Sequence, residues 1–234
     1  MKIKRAFIVG IILLTVSGVV IYKSFDRIAL FALSRFYGID VSYKGSSRDA
    51  KDGFIFENLK IINKKMGMGF FSSRAALKPQ LGRDLLKSVN IDFKFKEVHF
   101  IKSREDKVRP KYDTLSEVVA MPFEGRWMYK DIAGEVELFS NGLTFKKFMA
   151  NGREIRLVLS GDLFYNNTAQ AEISIYFSKD VLKDIPPELP SVIMQDEPGE
   201  WKSFSVKLKG DLSSPSIQVS GKLFRLNIGT VVIN

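Results

Sequence analysis

Few residues in this sequence are of types that perform covalent or metal chemistry. Cysteine is absent, which excludes disulfides, thiolate metal sites and a cysteine nucleophile. His99 is the single histidine, which makes a Ser-His triad or a histidine-based metal site implausible. Asp162 and Asp211 each follow a glycine, a pattern that favours a turn over paired acid–base catalysis. The sequence therefore predicts no catalytic residue, no metal site, no cofactor and no enzymatic activity.

Three further signals have both a structural and a functional interpretation. Trp127 lies in a run typical of a membrane-interface or partner-binding anchor, although the pattern favours a tryptophan satisfied in the core. His99 has no companion histidine, so we expect a structural role for it. The triplet Asn166-Asn167-Thr168 matches a glycosylation acceptor, which matters only in a eukaryotic secretory route.

The composition describes a folded and strongly basic chain. Of 234 residues, 45% are hydrophobic and 26% charged, and 36 Lys and Arg against 26 Asp and Glu give a net charge of +10. A basic surface suits anionic lipid headgroups or nucleic acid, although scattered lysines are most commonly a solvated face. The candidate headgroup or surface residues are Lys60, Lys64, Lys65, Lys94 and Lys96.

The N-terminus has the pattern of a membrane anchor. Residues 6–22 carry no charge and span about 25 Å as a helix, the short end of what crosses a bilayer. Lys2, Lys4 and Arg5 precede them, so we expect a cytosolic tail over residues 1–5 and the bulk of the chain across the membrane. A cleaved signal peptide and a buried core helix are the alternatives. The anchor is favoured because bulky residues stand where a cleavage site needs small ones. It also makes cytosolic nucleic acid an unsuitable partner.

A second helical stretch is predicted over residues 24–38, ending at Gly38. Its polar residues Ser24, Arg27 and Ser34 recur at helical spacing, and the rest of its surface is mostly apolar. It either extends the membrane helix into the interface or packs as a lid on the domain that follows. The sequence favours the lid.

From Ile39 onward the hydrophobic period changes to two, which predicts a mainly β domain over residues 39–234. Asn141-Gly142 and Asn166-Asn167 have the residues that tight hairpins need. We expect an antiparallel meander of about ten strands with a few short helices. The predicted strands begin near Ile39, run over 54–62, 69–77, 89–100, 134–140, 143–150, 155–165, 168–177 and 203–210, and end with 216–225.

The meander has three predicted irregularities. The alternation slips by one residue near Lys96-Glu97, which indicates a β-bulge. Thr114 and Glu117 match a capping box that opens a short helix closed by Pro122. Residues 179–200 interrupt the strands with a turn of helix that is followed by Pro186, Pro187 and Pro190, and residues 102–112 read as a solvated loop.

Apolar residues recur on one side of several predicted strands, which makes that side a candidate binding surface for acyl chains. An acyl chain requires only a continuous apolar strip that excludes water, and each methylene buried there contributes about 0.8 kcal/mol to binding. The alternative is that these side chains close on each other as the core of a sandwich or barrel. The candidates are Ile91, Phe93, Phe95, Ile155, Leu157, Leu159, Ile173, Ile175, Phe204, Val206 and Leu208.

Both ends of the domain carry segments that resemble a known family. The helical stretch ending in residues 38–41 (GIDV), followed by residues 53–61 (GFIFENLKI), is similar to the opening of AsmA-like proteins. The strand over residues 206–210 and the hairpin over 211–217 are similar to the end of the same family. The chain thus resembles AsmA- and TamB-type proteins, and it is also similar to the secretion protein N of type II systems.

The resemblance implies a single-pass inner-membrane protein with a curved, U-shaped β-sheet in the periplasm. It implies a role in lipid transfer or envelope maintenance, with a phospholipid or other acyl-chain lipid as partner. Ten strands about 4.8 Å apart span roughly 50 Å, so one copy is too short to bridge the periplasm. The alternative function is a structural accessory subunit of a secretion or outer-membrane assembly system, which binds envelope proteins or its own copies.

Overall fold

The computed structural model describes residues 39–49, 51, 53–63, 67–80, 88–102, 114–211, 214, 216–221 and 225–228. The predicted cytosolic tail, the anchor over residues 6–22, the helix over 24–38, and Lys64 and Lys65 lie outside the described residues. Over the part of the chain that is described, none of the helices is long and apolar enough to cross a bilayer.

The described residues fold mainly into β-strands that form one open antiparallel sheet. It has thirteen strands in the described ranges. They are β1 (Ile39–Ser42), β2 (Gly45–Asp49), β3 (Gly53–Asn63), β4 (Met68–Gln80), β5 (Ser88–Lys102), β6 (Met128–Phe139), β7 (Gly142–Gly152), β8 (Ile155–Phe164), β9 (Thr168–Phe177), β10 (Gln195–Glu197), β11 (Trp201–Asp211), β12 (Ser216–Ser220) and β13 (Arg225–Ile228).

The strands follow one another across the sheet almost in chain order, from β1 and β3 at one edge to β12 and β13 at the other. Two short strands lie beside this path, since β2 pairs with β3 and β10 pairs with β11. The predicted antiparallel meander is thus confirmed. Of the two alternatives that the sequence left open, the closed barrel is not found, because the pairing of the described strands runs along an open path.

Several predicted boundaries are wrong in detail. The expected count of ten strands misses the short β2, β10 and β13. β6 begins at Met128, six residues before the predicted Gly134, and β4 continues through Pro79 to Gln80. The last predicted strand, over residues 216–225, is two strands, because β12 ends at Ser220 and β13 pairs back on it from Arg225.

Short helical segments interrupt the sheet at two places. The first is α1 (Leu115–Ala120) with the 3-10 turn η1 (Met121–Phe123), and the second contains α2 (Lys179–Leu182) and α3 (Glu188–Ile193). The capping box at Thr114 is confirmed, since its side chain and that of Glu117 each accept a hydrogen bond from the other residue's backbone N–H. Pro122 lies inside η1, so it ends the α-helix two residues earlier than the sequence predicts.

A crease crosses four neighbouring strands where the sequence predicts a bulge. Asn58, Ser73, Glu97 and Lys130 face one another in β3 to β6, and none of them forms a ladder pair with the next. Asn58 and Glu97 have φ values of 53° and 49°. The apolar side of β5 consequently moves from odd to even residue numbers at Glu97, as predicted. A β-bulge would place an extra residue in β5 opposite β4, and this prediction is wrong. One residue in each strand, Ser73 in β4 and Glu97 in β5, is left unpaired, so the pairing register is the same on both sides of the crease.

Candidate functional site

One face of the sheet is apolar along rows that run across the strands, and we call it the apolar face. Side chains of paired residues in adjacent strands point to the same side, so the pairing register defines each row. The first row comprises Phe95, Ile132, Ala150, Leu157, Ile175 and Phe204. The middle row comprises Phe93, Gly134, Phe148, Leu159, Ile173, Val206 and Val219.

A third row lies two residues from the middle row in each strand, or three in β7 because of a register shift, and we call it the open strip. It crosses seven strands from β5 to β12 without a charged or polar side chain, and each of its residues is half-buried. Six spacings of about 4.8 Å make it roughly 29 Å long. The open strip comprises Ile91, Val136, Phe145, Gly161, Ala171, Leu208 and Ile217.

The helical segments cover the opposite half of the apolar face. Val118 and Met121 of the first segment and Val181 and Ile193 of the second join the same buried cluster as the first row. The Tyr129 hydroxyl donates a hydrogen bond of 2.7 Å to the Pro122 carbonyl, which fixes η1 on β6. Burial raises the pKa of Tyr129 above its ordinary value. Burial therefore decreases from the covered first row to the open strip.

The two helical segments also contact each other through Arg126. Its guanidinium lies 3.0 Å from the Glu124 carboxylate and 4.0 Å from that of Asp184. It also stacks 4.2 Å from the centre of the Trp127 ring. Trp127 is half-buried and packs against the core, as favoured, but its indole Nε1 is buried with no hydrogen-bond partner among the described residues.

The structure brings all eleven predicted acyl-chain candidates to the apolar face. Leu157, Ile175 and Phe204 are in the covered first row, while Ile91 and Leu208 are in the open strip. The candidates are therefore divided between a covered part and an open part of one surface. The remaining candidates divide between them as follows: Phe95 in the first row, Phe93, Leu159, Ile173 and Val206 in the middle row, and Ile155 beside the first row at the helix-covered side.

Sequence reasoning missed several members of the face, most of which come from β6 and β7 and one from β12. Gly134 leaves a gap in the alternation of β6, and a register shift between Phe145 and Phe148 reverses the alternation of β7. The sequence alone therefore does not show that Leu143, Phe145 and Phe148 share one face, because that depends on the register shift. The missed residues are Val136, Phe145, Phe148 and Ile217.

The other face is polar and carries paired charges, and we call it the polar face. Lys207 lies 3.3 Å from Glu172, and Lys146 lies 3.0 Å from Glu137. Hydrogen bonds from Ser88 and then from Lys146 lower the pKa of Glu137. A depression of about 410 Å³ between β8 and β12 is lined mostly by polar residues, such as Ser160, Glu172 and Lys207, and also by Gly161, Ala171 and Leu208 of the open strip. The paired charges of the polar face are suited to water rather than to an apolar ligand.

The described headgroup candidates lie on the polar face rather than beside the open strip. Lys60 and Lys94 are exposed, and Lys96 is 3.9 Å from Asp131. Each of the three alternates with apolar-face neighbours along its strand, so the sheet separates it from the apolar rows. The structure therefore does not bring these three described lysines together with the apolar candidates.

The remaining polar candidates have structural contacts. His99 stacks on Phe71, with ring centres 5.1 Å apart. Asp162 accepts a hydrogen bond of 2.6 Å from Thr144 within β8, so the predicted turn at Asp162 is wrong. Asp211 ends β11 and accepts a hydrogen bond of 3.1 Å from Asn167. No cluster of three or more metal-ligating side chains occurs in the ranges that the structure covers.

Comparison with known proteins leaves the chain without an assigned family. No family model, no curated protein and no solved structure matches it. The geometry of the two faces is therefore the basis for a functional proposal.

Proposed function

We propose that this protein handles acyl-chain lipid on its apolar face, as an AsmA-like protein of the inner membrane. In this proposal residues 6–22 anchor the chain and the sheet lies in the periplasm, where it transfers lipid or maintains the envelope. The observation that carries the proposal is the open strip, whose seven residues are apolar or glycine and only half-buried. Soluble proteins seldom leave a long apolar strip without a partner.

The dimensions of the open strip suit an acyl chain. It is roughly 29 Å long, and the middle row beside it is about 7 Å away, which widens the apolar surface. Each methylene that leaves water for this surface contributes about 0.8 kcal/mol. No specific polar partner is needed, which agrees with the absence of charged side chains from the strip.

The proposal also includes a sheet that curves around its apolar face. In a flat sheet, β5 and β8 would lie about 14 Å apart, since three strand spacings separate them. The three-residue turn η1 nevertheless reaches both, because Phe123 packs on Phe100 of β5 at 5.6 Å between ring centres and the turn also lies against β8. This supports a concave apolar face with the helical segments inside the concavity.

Crosslinking at two adjacent residues of β8 tests the proposal. Leu159 belongs to the middle row next to the open strip, whereas Val158 is on the polar face and 38% exposed. A benzophenone amino acid replaces one or the other in the full chain, which is irradiated in cells and analysed by mass spectrometry. Lipid adducts at position 159 with few at position 158 are expected.

The other outcomes contradict lipid handling. Protein adducts at position 159 without lipid adducts would favour the structural accessory subunit that binds envelope proteins. Equal lipid labelling at both positions would mean that the apolar face has no preference for lipid. Absence of any adduct at position 159, with efficient labelling at 158, would equally count against the proposal.

A further inference from the structure

At one end of the sheet, where β6 turns into β7 and β8 into β9, the apolar face continues past the open strip. A fourth row lies two residues beyond the strip and includes Val89, Leu138, Leu143 and Leu163, which pair in register. All four side chains are half-buried. They do not belong to the buried cluster that the described helical residues form with the first row. The apolar face therefore reaches the turns without a cover from those helices.

The same end of the sheet is also apolar on its opposite side. Phe139 and Phe164 each pair with Gly142 of β7, so their rings flank Gly142 on the polar face, with ring centres 6.1 Å apart. Gly142 is buried, and a Cβ there would lie 3.1 Å from the Phe139 ring. The charged side chains of Glu137 and Asp162 come two residues further into the sheet. At this end, the strands thus carry apolar side chains on both sides.

The turns beyond these residues carry no charge. They are Ser140-Asn141 between β6 and β7 and Tyr165-Asn166-Asn167 between β8 and β9. The Tyr165 N–H donates a hydrogen bond of 2.9 Å to the Asn141 carbonyl, which holds the two turns side by side. The Tyr165 side chain is 68% exposed, more than any other large hydrophobic side chain of the described residues. We call the following residues the apolar end: Leu138, Phe139, Leu143, Leu163, Phe164 and Tyr165.

The opposite end of the same strands is charged. β7 turns into β8 through Arg153-Glu154, and Lys179 and Glu200 form an exposed ion pair of 2.9 Å beside that turn. At the apolar end, the charge of Asp211 lies only at the border, in β11, where the carboxylate accepts a hydrogen bond from Asn167. The charged end is therefore suited to water, and the apolar end to an apolar medium.

We propose that the apolar end inserts shallowly into the surface of a lipid bilayer. A bilayer surrounds an inserted end, so it covers both sides and the tip at once, whereas a protein docked on one face leaves Phe139 and Phe164 or Leu138 and Leu163 exposed. The tyrosine ring is suited to the level of the headgroups. Uncharged turns also avoid the cost of moving a charge toward hydrocarbon.

The dimensions of the apolar end agree with a shallow insertion. Tyr165 is two residues beyond Leu163, a distance of about 7 Å along the strand. Elements that lie in the membrane interface bury their apolar side by about 5–10 Å. The fourth row is adjacent to the open strip, so an acyl chain can pass from the bilayer onto the strip without crossing water. This last consequence rests on the proposed function, but the insertion itself does not.

Fluorescence quenching by membrane lipid tests the insertion. The chain has no cysteine, so a single engineered thiol carries one environment-sensitive dye. Tyr165→Cys and Ser140→Cys, each in the full chain, place the dye on the two neighbouring turns. The matched control is Ser160→Cys, because Ser160 is exposed on the polar face of β8, about 17 Å from Tyr165 along the chain.

The labelled chains are placed in vesicles of phosphatidylethanolamine and phosphatidylglycerol. Phospholipid with a nitroxide on its acyl chain, which quenches at short range, is present in the same vesicles in one sample and in added vesicles in another. Loss of fluorescence at positions 165 and 140, and not at position 160, is expected in at least one of the two samples. The sample that shows the loss identifies the bilayer that is contacted.

Two results would overturn the insertion. Unquenched dye at both positions 165 and 140 in both samples would mean that the apolar end remains in water. Equal quenching at positions 160 and 165 would mean that the polar face contacts lipid as closely as the apolar end does. Lipid adducts at position 159 test the open strip independently, so the insertion and lipid handling fail separately.

Discussion

The Ser72 hydroxyl lies 2.8 Å from the carbonyl oxygen of Lys96, across the pair of strands β4 and β5. It also accepts a hydrogen bond of 3.2 Å from the Lys96 N–H, and Ser72 is fully buried. Ser73 and Glu97, the next residues, form no ladder pair with each other. The hydroxyl thus supplies the hydrogen bonds that the ladder loses at the crease.

Ser72→Ala is expected to destabilise the fold by about 1–3 kcal/mol, because the part-buried Lys96 N–H loses its acceptor. Ser73→Ala is the matched control, since its hydroxyl makes one longer hydrogen bond of 3.2 Å to the same carbonyl and it is only half-buried. Urea unfolding of both variants measures the difference. Equal losses of stability would show that Ser72 does not hold the crease.

Glu97→Gly is expected to stabilise the fold by about 0.5–1 kcal/mol. Glu97 has φ 49°, a conformation that costs an L-residue about 1–2 kcal/mol and costs glycine little, although glycine also gains entropy in the unfolded chain. Lys94→Gly, three residues earlier in regular β-structure, is expected to destabilise by about the same amount. Thermal unfolding distinguishes the two, and a loss of stability in Glu97→Gly would contradict the account.

Gly161→Ala is expected to destabilise the fold by about 1–3 kcal/mol or more. Gly161 has φ +135°, and a Cβ there would lie 2.3 Å from the Gln170 carbonyl oxygen and 2.5 Å from the Ala171 Cα. Gly45→Ala is the control, because a Cβ at Gly45 meets nothing within 4 Å. Similar unfolding midpoints for the two variants would mean that β8 and β9 are less closely paired than described.

Tyr129 is expected to make the fold sensitive to alkaline pH. Burial raises the pKa of Tyr129 above its ordinary value of 10.0, so the unfolded chain releases the proton first as the pH rises. The stability that the neutral phenol contributes is present below pH 10 and declines above it. Tyr129→Phe removes this decline and also loses the hydrogen bond to Pro122, at about 1 kcal/mol.

Urea unfolding at about pH 8 and about pH 11 measures the effect of Tyr129. The variant should be less stable than the natural chain at the lower pH, and the gap should narrow at the higher pH. Tyr165→Phe is the control, because Tyr165 is 68% exposed and should change neither value. A gap of unchanged size would contradict the burial of the phenol.

Local patterns in the sequence predict much of the sheet and of the candidate face. Alternation predicts β8, β9 and β11 within a few residues, and it predicts that Leu157, Ile175 and Phe204 share one face. This works because side chains alternate across a strand whatever its partner is.

Features of the sheet that depend on how strands and interruptions pack against each other could not be predicted from the sequence. The crease at Glu97 needs Ser73 opposite it, and the sequence of β5 does not reveal that pairing. The covering of the first row by Met121 and Ile193 depends on how two interruptions fold back over the sheet. The sequence therefore predicted which residues share a face, but not which of them remain accessible.

Photolabelling with a phospholipid that carries a diazirine in its acyl chain tests the central claim most directly. The full chain is placed in vesicles of this lipid and irradiated, and the labelled residues are mapped by peptide mass spectrometry. Apart from residues 6–22, label is expected on Val136, Phe145, Leu208 and Ile217 of the open strip. Label on Val158 and Met149 of the polar face instead, or on the anchor alone, would contradict lipid binding by the apolar face.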